Sequence, residues 1–375
     1  MQIAVLGAGM VGRAIALDLA DQFNVSAIDI STSNLNLLKQ RNGNIDTIKA
    51  DLADYRSYAA LLNPFDIVVT AVPGFMGYQA LQSVIESEKN VVDISFFPEN
   101  ALALDHLAKQ KNISVITDCG VAPGMSNLIL GRYNEEMIID SFECYVGGLP
   151  KEKKPPFQYK APFSPVDVIE EYTRPARLVE GGEIVTKPAL SDREMIDFEK
   201  TGQLEAFNTD GLRSLIFTMK HIPEMKEKTL RYPGHVDLII ALQQAGFFDT
   251  KPLSIKGKMI TPLDLTSQIL ITQWKLGESE AEFTVMKVVI KGQKDDIAKT
   301  IIYELYDEYD KKSNLSSMAR TTGYTCSAAV NLLVKKLFSE KGVFPPEMVG
   351  KNKACFDFVI GYLKKRGVNW LSYEI

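Results

Sequence analysis

Apolar and polar positions follow two different rhythms along this chain. Over the first 120 residues, short apolar runs recur: Ile3 to Leu6, Val25 to Ile30, Ile45 to Lys49, Asp66 to Val72, Asn90 to Ile94 and Ile113 to Thr117. Each has the length and β-branched content of a buried strand. Between them the apolar spacing becomes helical. Met10 to Ala20 places Val11, Ala14, Ile15, Leu17 and Leu19 at helical spacing, and Leu81 to Glu88 and Glu99 to Gln110 behave alike. Strand and helix in strict alternation predict a parallel sheet covered on both faces. Six strands in this rhythm suit two mononucleotide-binding halves of a Rossmann domain.

The rhythm breaks after Cys119-Gly120. Pro123-Gly124 marks a turn, Met125 to Tyr133 reads as a helix and Ser141 to Val146 as a strand. Gly147 to Pro156 is rich in Gly, Pro and Lys and reads as a loop. Leu178 to Val185 reads as a hairpin on Gly181-Gly182. Further strands are predicted at Thr229 to Tyr232, Ala281 to Lys291 and Thr300 to Tyr306, and a last helical segment at Glu347 to Lys365. The expected fold is α/β: a Rossmann dinucleotide-binding domain over 1–122, then an α+β domain with a mostly antiparallel sheet over 123–317, then a C-terminal segment over 318–375.

Composition narrows the classes. The 375 residues are 46% hydrophobic and 24% charged, with a net charge of −5, so a broad electrostatic footprint for nucleic acid is not expected. No apolar run has the length of a membrane span, and no basic lead-in precedes the first strand, so a cytoplasmic location is expected. Cys119, Cys144, Cys326 and Cys355 are widely spaced and read as core residues. His106, His221 and His235 are too scattered for a metal cluster, and no metal is expected.

Gly7-Ala8-Gly9-Met10-Val11-Gly12 lies between a predicted strand and a predicted helix. The first glycine permits the tight turn, the second lets a pyrophosphate approach the backbone, and the third lets the helix pack on the strand. The phosphates would then rest on the helix N-terminus, near Met10 and Val11, where free N–H groups face an anion. Asp29 ends the second strand; its carboxylate suits the ribose hydroxyls and opposes a 2′-phosphate. No arginine adjoins it in sequence, so NAD is the expected cofactor. Asp51 and Leu52 follow the third strand and are expected near the adenine. Ala71, Val72 and Pro73 follow the fourth and are expected along the nicotinamide side.

The chemistry opposite the cofactor is narrowed by absences. No tyrosine is followed four residues later by lysine, no GxSxG elbow is present, and zinc ligands are lacking. What remains is a metal-free dehydrogenase, with an amine or imine as one candidate substrate. Four stretches carry a resemblance: Asp118-Cys119-Gly120-Val121-Ala122-Pro123-Gly124-Met125-Ser126-Asn127, Tyr145 to Pro150 with its GGLP, Thr229 to His235 with its LRYPGH, and Met318 to Tyr324. They resemble the saccharopine dehydrogenase family, and most its archaeal L-lysine 6-dehydrogenase branch. Asp93 to Asn100 and Asp210 to Arg213 share that resemblance. Saccharopine reductases carry an aspartate where this chain has Ala122, a cysteine where it has Val146 and a phenylalanine where it has His235.

The resemblance implies NAD-dependent oxidative deamination of L-lysine at the ε-carbon, giving 2-aminoadipate 6-semialdehyde, ammonia and NADH. It also implies a homodimer built on the middle domain and a C-terminal segment that folds back onto the Rossmann domain. A saccharopine-forming or saccharopine-splitting enzyme, a carboxynorspermidine-type reductase and a non-catalytic NAD-binding protein are the alternatives. Lysine reacts only as the neutral amine, whose pKa is about 10.4, so the site must supply a base or depress that value. His235 is a candidate base. Asp93 and Asp118, at the ends of strands five and six, could bind an ammonium, orient a base, or simply bond loop amides. Arg231 could clamp the α-carboxylate or form an interdomain ion pair. Asp210 could meet the α-ammonium or cap a helix over 211–220. Tyr159 and Phe163 could wall the pocket, and Arg320 and Thr322 could close it.

Overall fold

The structure is a computed structural model that describes residues 1–375. Its N-terminal sheet is built from β1 (Gln2–Leu6), β2 (Asn24–Asp29), β3 (Asp46–Lys49), β4 (Ile67–Thr70), β5 (Asn90–Asp93) and β6 (Ser114–Ile116). The order is β3-β2-β1-β4-β5-β6, every pair is parallel, and a seventh strand, Gly342–Phe344, extends β6. Such a sheet is covered on both faces, which explains why β4 is buried along its whole length. The strand order reverses between β1 and β4, and ligands bind at the carboxyl edge of that switch point.

The second sheet has nine strands. Its main path runs Glu194–Phe198, Gly202–Asn208, Glu224–Arg231, β7 (Ile138–Pro150), Glu282–Lys294, Ile297–Glu308, Trp370–Glu374. All pairings are antiparallel except that of Glu224–Arg231 with β7. The Ala176–Glu180 and Glu183–Lys187 hairpin hangs off Glu224–Arg231, with Gly181 and Gly182 both at positive φ as its two-residue turn requires. The GGLP stretch corrects the loop expectation: it is the end of β7. A Cβ on Gly147 would lie 2.8 Å from Leu230, and one on Gly148 2.6 Å from Pro162 and 2.7 Å from Met318, so these glycines let three segments converge. The helix expected over 211–220 is only Leu215–Thr218, and that expected over 347–365 is split into Pro346–Gly350 and Lys353–Lys365, the latter capped by Asn352.

Helix Ser317–Val334 ties the two sheets together. Its Ser316 cap accepts from the Ala319 amide, and Gly323 lies against Ala14 and Ile15 of helix Met10–Leu19. Helix Lys353–Lys365 reinforces this contact, with Tyr362 Oη and Arg366 Nε both donating to Asp18 (2.8 and 2.5 Å). The chain after Met318 thus adds Gly342–Phe344 to the first sheet and Trp370–Glu374 to the second. The largest hydrophobic cluster spans both layers, and all four cysteines are buried in the interior. No helix is long and apolar enough to cross a membrane.

Candidate active site

The glycine loop forms a cradle. Gly7 has φ +101°, and a Cβ there would lie 2.3 Å from the Ala71 carbonyl oxygen; one on Gly12 would lie 2.0 Å from that of Gly7. Only hydrogen fits at either position. Gly9 is different: a Cβ would meet nothing within 4 Å, so the open space lies where a pyrophosphate approaches. Met10 and Val11 form the first helical turn and are half-buried, with their amides at the helix N-terminus. Asp29 accepts from the Ala8 amide through Oδ2 and from the Ser31 amide through Oδ1, both at 2.7 Å. Each oxygen keeps a lone pair for a hydroxyl donor. Asp51 is exposed and accepts from the Ala53 amide, while buried Leu52 accepts from Tyr58 Oη at 2.9 Å. Ala71, Val72 and Pro73 run along the edge of β4, with the Val72 amide donating to Ser95 Oγ at 3.3 Å. These residues fit a dinucleotide.

Two carboxylates stand at the next strand ends. Asp93 is fully buried; Oδ1 accepts from Thr70 Oγ1 at 2.5 Å and from the Ser95 amide at 3.2 Å, and Oδ2 has no partner. Burial, with the charge of Asp118 adding to it, pushes its carboxyl up to about 7 against those two hydrogen bonds. Asp118, at φ +53°, accepts from Arg213 Nε (3.2 Å) and Nη2 (2.8 Å). The Arg213 guanidinium also stacks over Phe96 and Phe97, 5.0 and 4.9 Å from the ring centroids. Beside this pair lies an open recess of about 330 Å³ lined in part by Pro98, Thr117, Asp118, Arg177, Arg213 and Pro345. Arg213 and Arg177 were not among the sequence candidates; the signal was the arginine in the Asp210-Gly211-Leu212-Arg213 stretch. Asp167 was also missed. It is buried on helix Pro165–Thr173 and accepts from the Gly74 amide at 3.3 Å, next to Pro73, with burial and then Glu170 raising its carboxyl to about 6.

Several candidates occupy structural networks instead. Asp210 accepts from Arg177 Nε and Nη2, both at 2.8 Å, and from the Arg177 amide, and it lies outside the Leu215–Thr218 helix rather than capping it. Arg231 is buried, and its donors are committed to Tyr172 Oη (2.8 Å), the Leu230 carbonyl (3.0 Å) and Glu171 (2.8 Å). The carboxylate it clamps belongs to Glu171 of its own domain. His235 opens helix His235–Gln244 after Gly234. Its Nδ1 lies 2.9 Å from the Phe157 carbonyl, so Nδ1 carries the hydrogen and Nε2 accepts from Tyr172 Oη at 2.9 Å. Burial, aided by the charge of Arg231, drives its pKa down to about 3. Both ring nitrogens are therefore engaged within the fold. Tyr159 belongs to the same aromatic cluster, 4.3 Å under the Arg231 guanidinium and 5.6 Å from Trp274, while half-buried Phe163 packs at its rim. Arg320 bonds Asp307 and the Glu308 and Arg366 carbonyls and is likewise structural. Thr322 stays near the strand ends: its methyl lies 3.4 Å from where a Gly120 Cβ would be.

Residues 3–116 match the family model described as saccharopine dehydrogenase NADP binding domain, and residues 120–368 match the saccharopine dehydrogenase C-terminal domain. The chain belongs to the saccharopine dehydrogenase family. It therefore belongs to an oxidoreductase family and carries a nucleotide-binding domain of the NADP-binding type. The solved saccharopine dehydrogenase (L-Glu forming) from Saccharomyces cerevisiae shares the fold, with a TM-score of 0.80 at 20% identity over 100% of this chain and 99% of that one. An alpha-aminoadipic semialdehyde synthase of Arabidopsis thaliana is 24% identical over 70% of this chain, which spans only 27% of that protein. A carboxyaminopropylagmatine dehydrogenase of Synechocystis sp. is 21% identical over 92% of each chain.

Proposed function

We propose that this protein oxidises L-lysine at the ε-carbon with NAD, giving 2-aminoadipate 6-semialdehyde. The overall change is lysine, NAD⁺ and water to semialdehyde, ammonium, NADH and a proton. NAD, when bound, supplies the hydride acceptor. What remains falls to the chain. The observation that carries the reading is the recess beside Asp118 and Arg213. It offers guanidinium and carboxylate groups together, the charges a zwitterionic α-amino acid requires. Ala122 and Val146, in place of the aspartate and cysteine of saccharopine reductases, favour free lysine over the larger saccharopine.

Asp93 is the proton acceptor in this reading. Its free Oδ2 is buried at the carboxyl edge, and a carboxyl near 7 is charged at mildly alkaline pH yet basic enough to take a proton from the substrate ammonium. Asp118 and Arg213 hold the amino acid's charged groups, and Asp29 selects NAD through the ribose hydroxyls. The homodimer is part of the same reading; Leu371, Tyr373 and Ile375, exposed on or beside edge strand Trp370–Glu374, offer it an apolar surface. A second reading, reductive joining of an aldehyde and an amine, is favoured by the similarity to the Synechocystis carboxyaminopropylagmatine dehydrogenase.

Thermal shift with saturating NADH separates them. Lysine and 2-aminoadipate are expected to raise the melting temperature, and saccharopine is expected to have little effect. Stabilisation by saccharopine alone would overturn the lysine reading.

A further inference from the structure

Glu278 lies between helix Pro262–Trp274 and strand Glu282–Lys294, outside the Rossmann sheet, yet its carboxylate ends on the cofactor domain. One oxygen is 2.6 Å from Arg13 Nη2, the other 3.1 Å from Arg41 Nη2. Arg13 follows Gly12 directly. It is 4% exposed, its Nη1 lies 3.4 Å from the Ala8 carbonyl of the glycine loop, and its Nε is a buried donor with no acceptor. The Ala8 amide in turn donates to Asp29. Ala8 therefore links Arg13, through its carbonyl, to the ribose-selecting carboxylate, through its amide.

Two guanidinium groups on one spot repel each other, and Arg13 is also largely withdrawn from water. Burial and the neighbouring Arg41 both disfavour its charge, while Glu278 and Asp29 support it. The site thus demands an anion. Within the chain Glu278 supplies it; otherwise the 2′-phosphate of NADP, a dianion that arginine pairs hold well, is the group of matching charge. Asp29 alone opposes that phosphate at the ribose. Glu278 adds opposition by taking its counter-charges and placing a like charge where the phosphate would bind.

We propose that Glu278 is a cofactor-selecting residue that reaches in from the second domain and occupies, between Arg13 and Arg41, the anion position that the 2′-phosphate of NADP would take. The inference rests on the NAD reading above but needs no particular substrate.

The test is a titration of the full chain with NADH and with NADPH, without substrate, followed by nucleotide fluorescence. Wild type is expected to favour NADH. E278Q keeps the side chain's shape on a site whose Glu278 side chain is 47% exposed, and it should move the NADPH-to-NADH affinity ratio toward NADPH by at least about tenfold. E278A is expected to do the same, and adding R41M to E278Q should reverse most of the gain. Melting curves of the three variants show whether they are folded, and the ratio compares two ligands on one variant, so a loss of stability does not imitate the effect. A ratio unchanged within about twofold in both E278Q and E278A overturns this proposal and leaves the NAD reading standing. A wild-type protein that favours NADPH overturns both.

Discussion

Replacing Asp93 with asparagine separates a proton acceptor from a structural strand-end carboxylate. The side-chain amide of D93N keeps an oxygen for Thr70 Oγ1 and the Ser95 amide, and its nitrogen takes the place of the unpartnered Oδ2. Raising the Asp93 carboxyl from its ordinary 3.8 to about 7 represents up to roughly 4 kcal/mol of ionisation cost in the folded protein at alkaline pH. The sign follows. Because the folded value is raised, the wild-type stability that depends on this group is intact below about pH 4 and is lost as pH climbs through 7. The D93N amide does not ionise and escapes that loss. Urea unfolding should therefore show the variant within about 1 kcal/mol of wild type at pH 4, where both carry a buried donor without an acceptor, and several kcal/mol more stable at pH 8.5. Over the same range kcat/KM with lysine should fall by about 10²- to 10⁴-fold, the usual contribution of a general base. A variant that keeps activity within tenfold, or whose stability difference does not change with pH, would rule out Asp93 as that acceptor.

Other variants probe the rest of the site. R213K loses the two-point grip on Asp118 and the stacking on Phe96 and Phe97, and is expected to raise KM for the amino acid by about tenfold or more with a smaller change in kcat, read from steady-state kinetics. H235N should leave the pH–rate profile in place while costing about 1–3 kcal/mol of stability, because it disrupts the bonds to Tyr172 and Phe157 rather than removing a base; a displaced profile would restore His235 to the chemistry. Glu227 and Glu282 are raised to about 8, and Asp167 and Asp307 to about 6, mainly by burial. Their folded values being raised, stability should fall as pH climbs from about 5 through 8, and a melting temperature that rises over that interval would contradict the assignment.

The Rossmann half was readable because its signals are local. An apolar run, a glycine turn and an amphipathic helix each announce themselves within ten or so residues, and the spacing to Asp29 followed. The second domain depends on contacts distant in sequence. GGLP looks like a loop until Pro162, Met318 and Leu230 show why a strand there must lack side chains. Helix Ser317–Val334 is buried nearly all round and so carries little amphipathic stripe to detect. The partners of the site residues were hidden for the same reason. Motif residues Arg231 and His235 looked chemical in isolation, but Tyr172 and Glu171, sixty or so positions earlier, consume their polar atoms. Conversely Arg213, Asp167 and Arg13 gain meaning only from partners at Asp118, Gly74 and Glu278. No pattern along the chain connects those pairs.

In the proposed reaction the substrate nitrogen leaves as ammonia from a single free amino acid. Incubating the protein with NAD⁺ and L-lysine as the sole substrate, and measuring NADH and ammonium together, examines that step without intermediaries. Equal amounts of both are expected, with no requirement for a second organic substrate. NADH formation only from saccharopine, or NADH or NADPH consumption only when an aldehyde and an amine are supplied together, would contradict it.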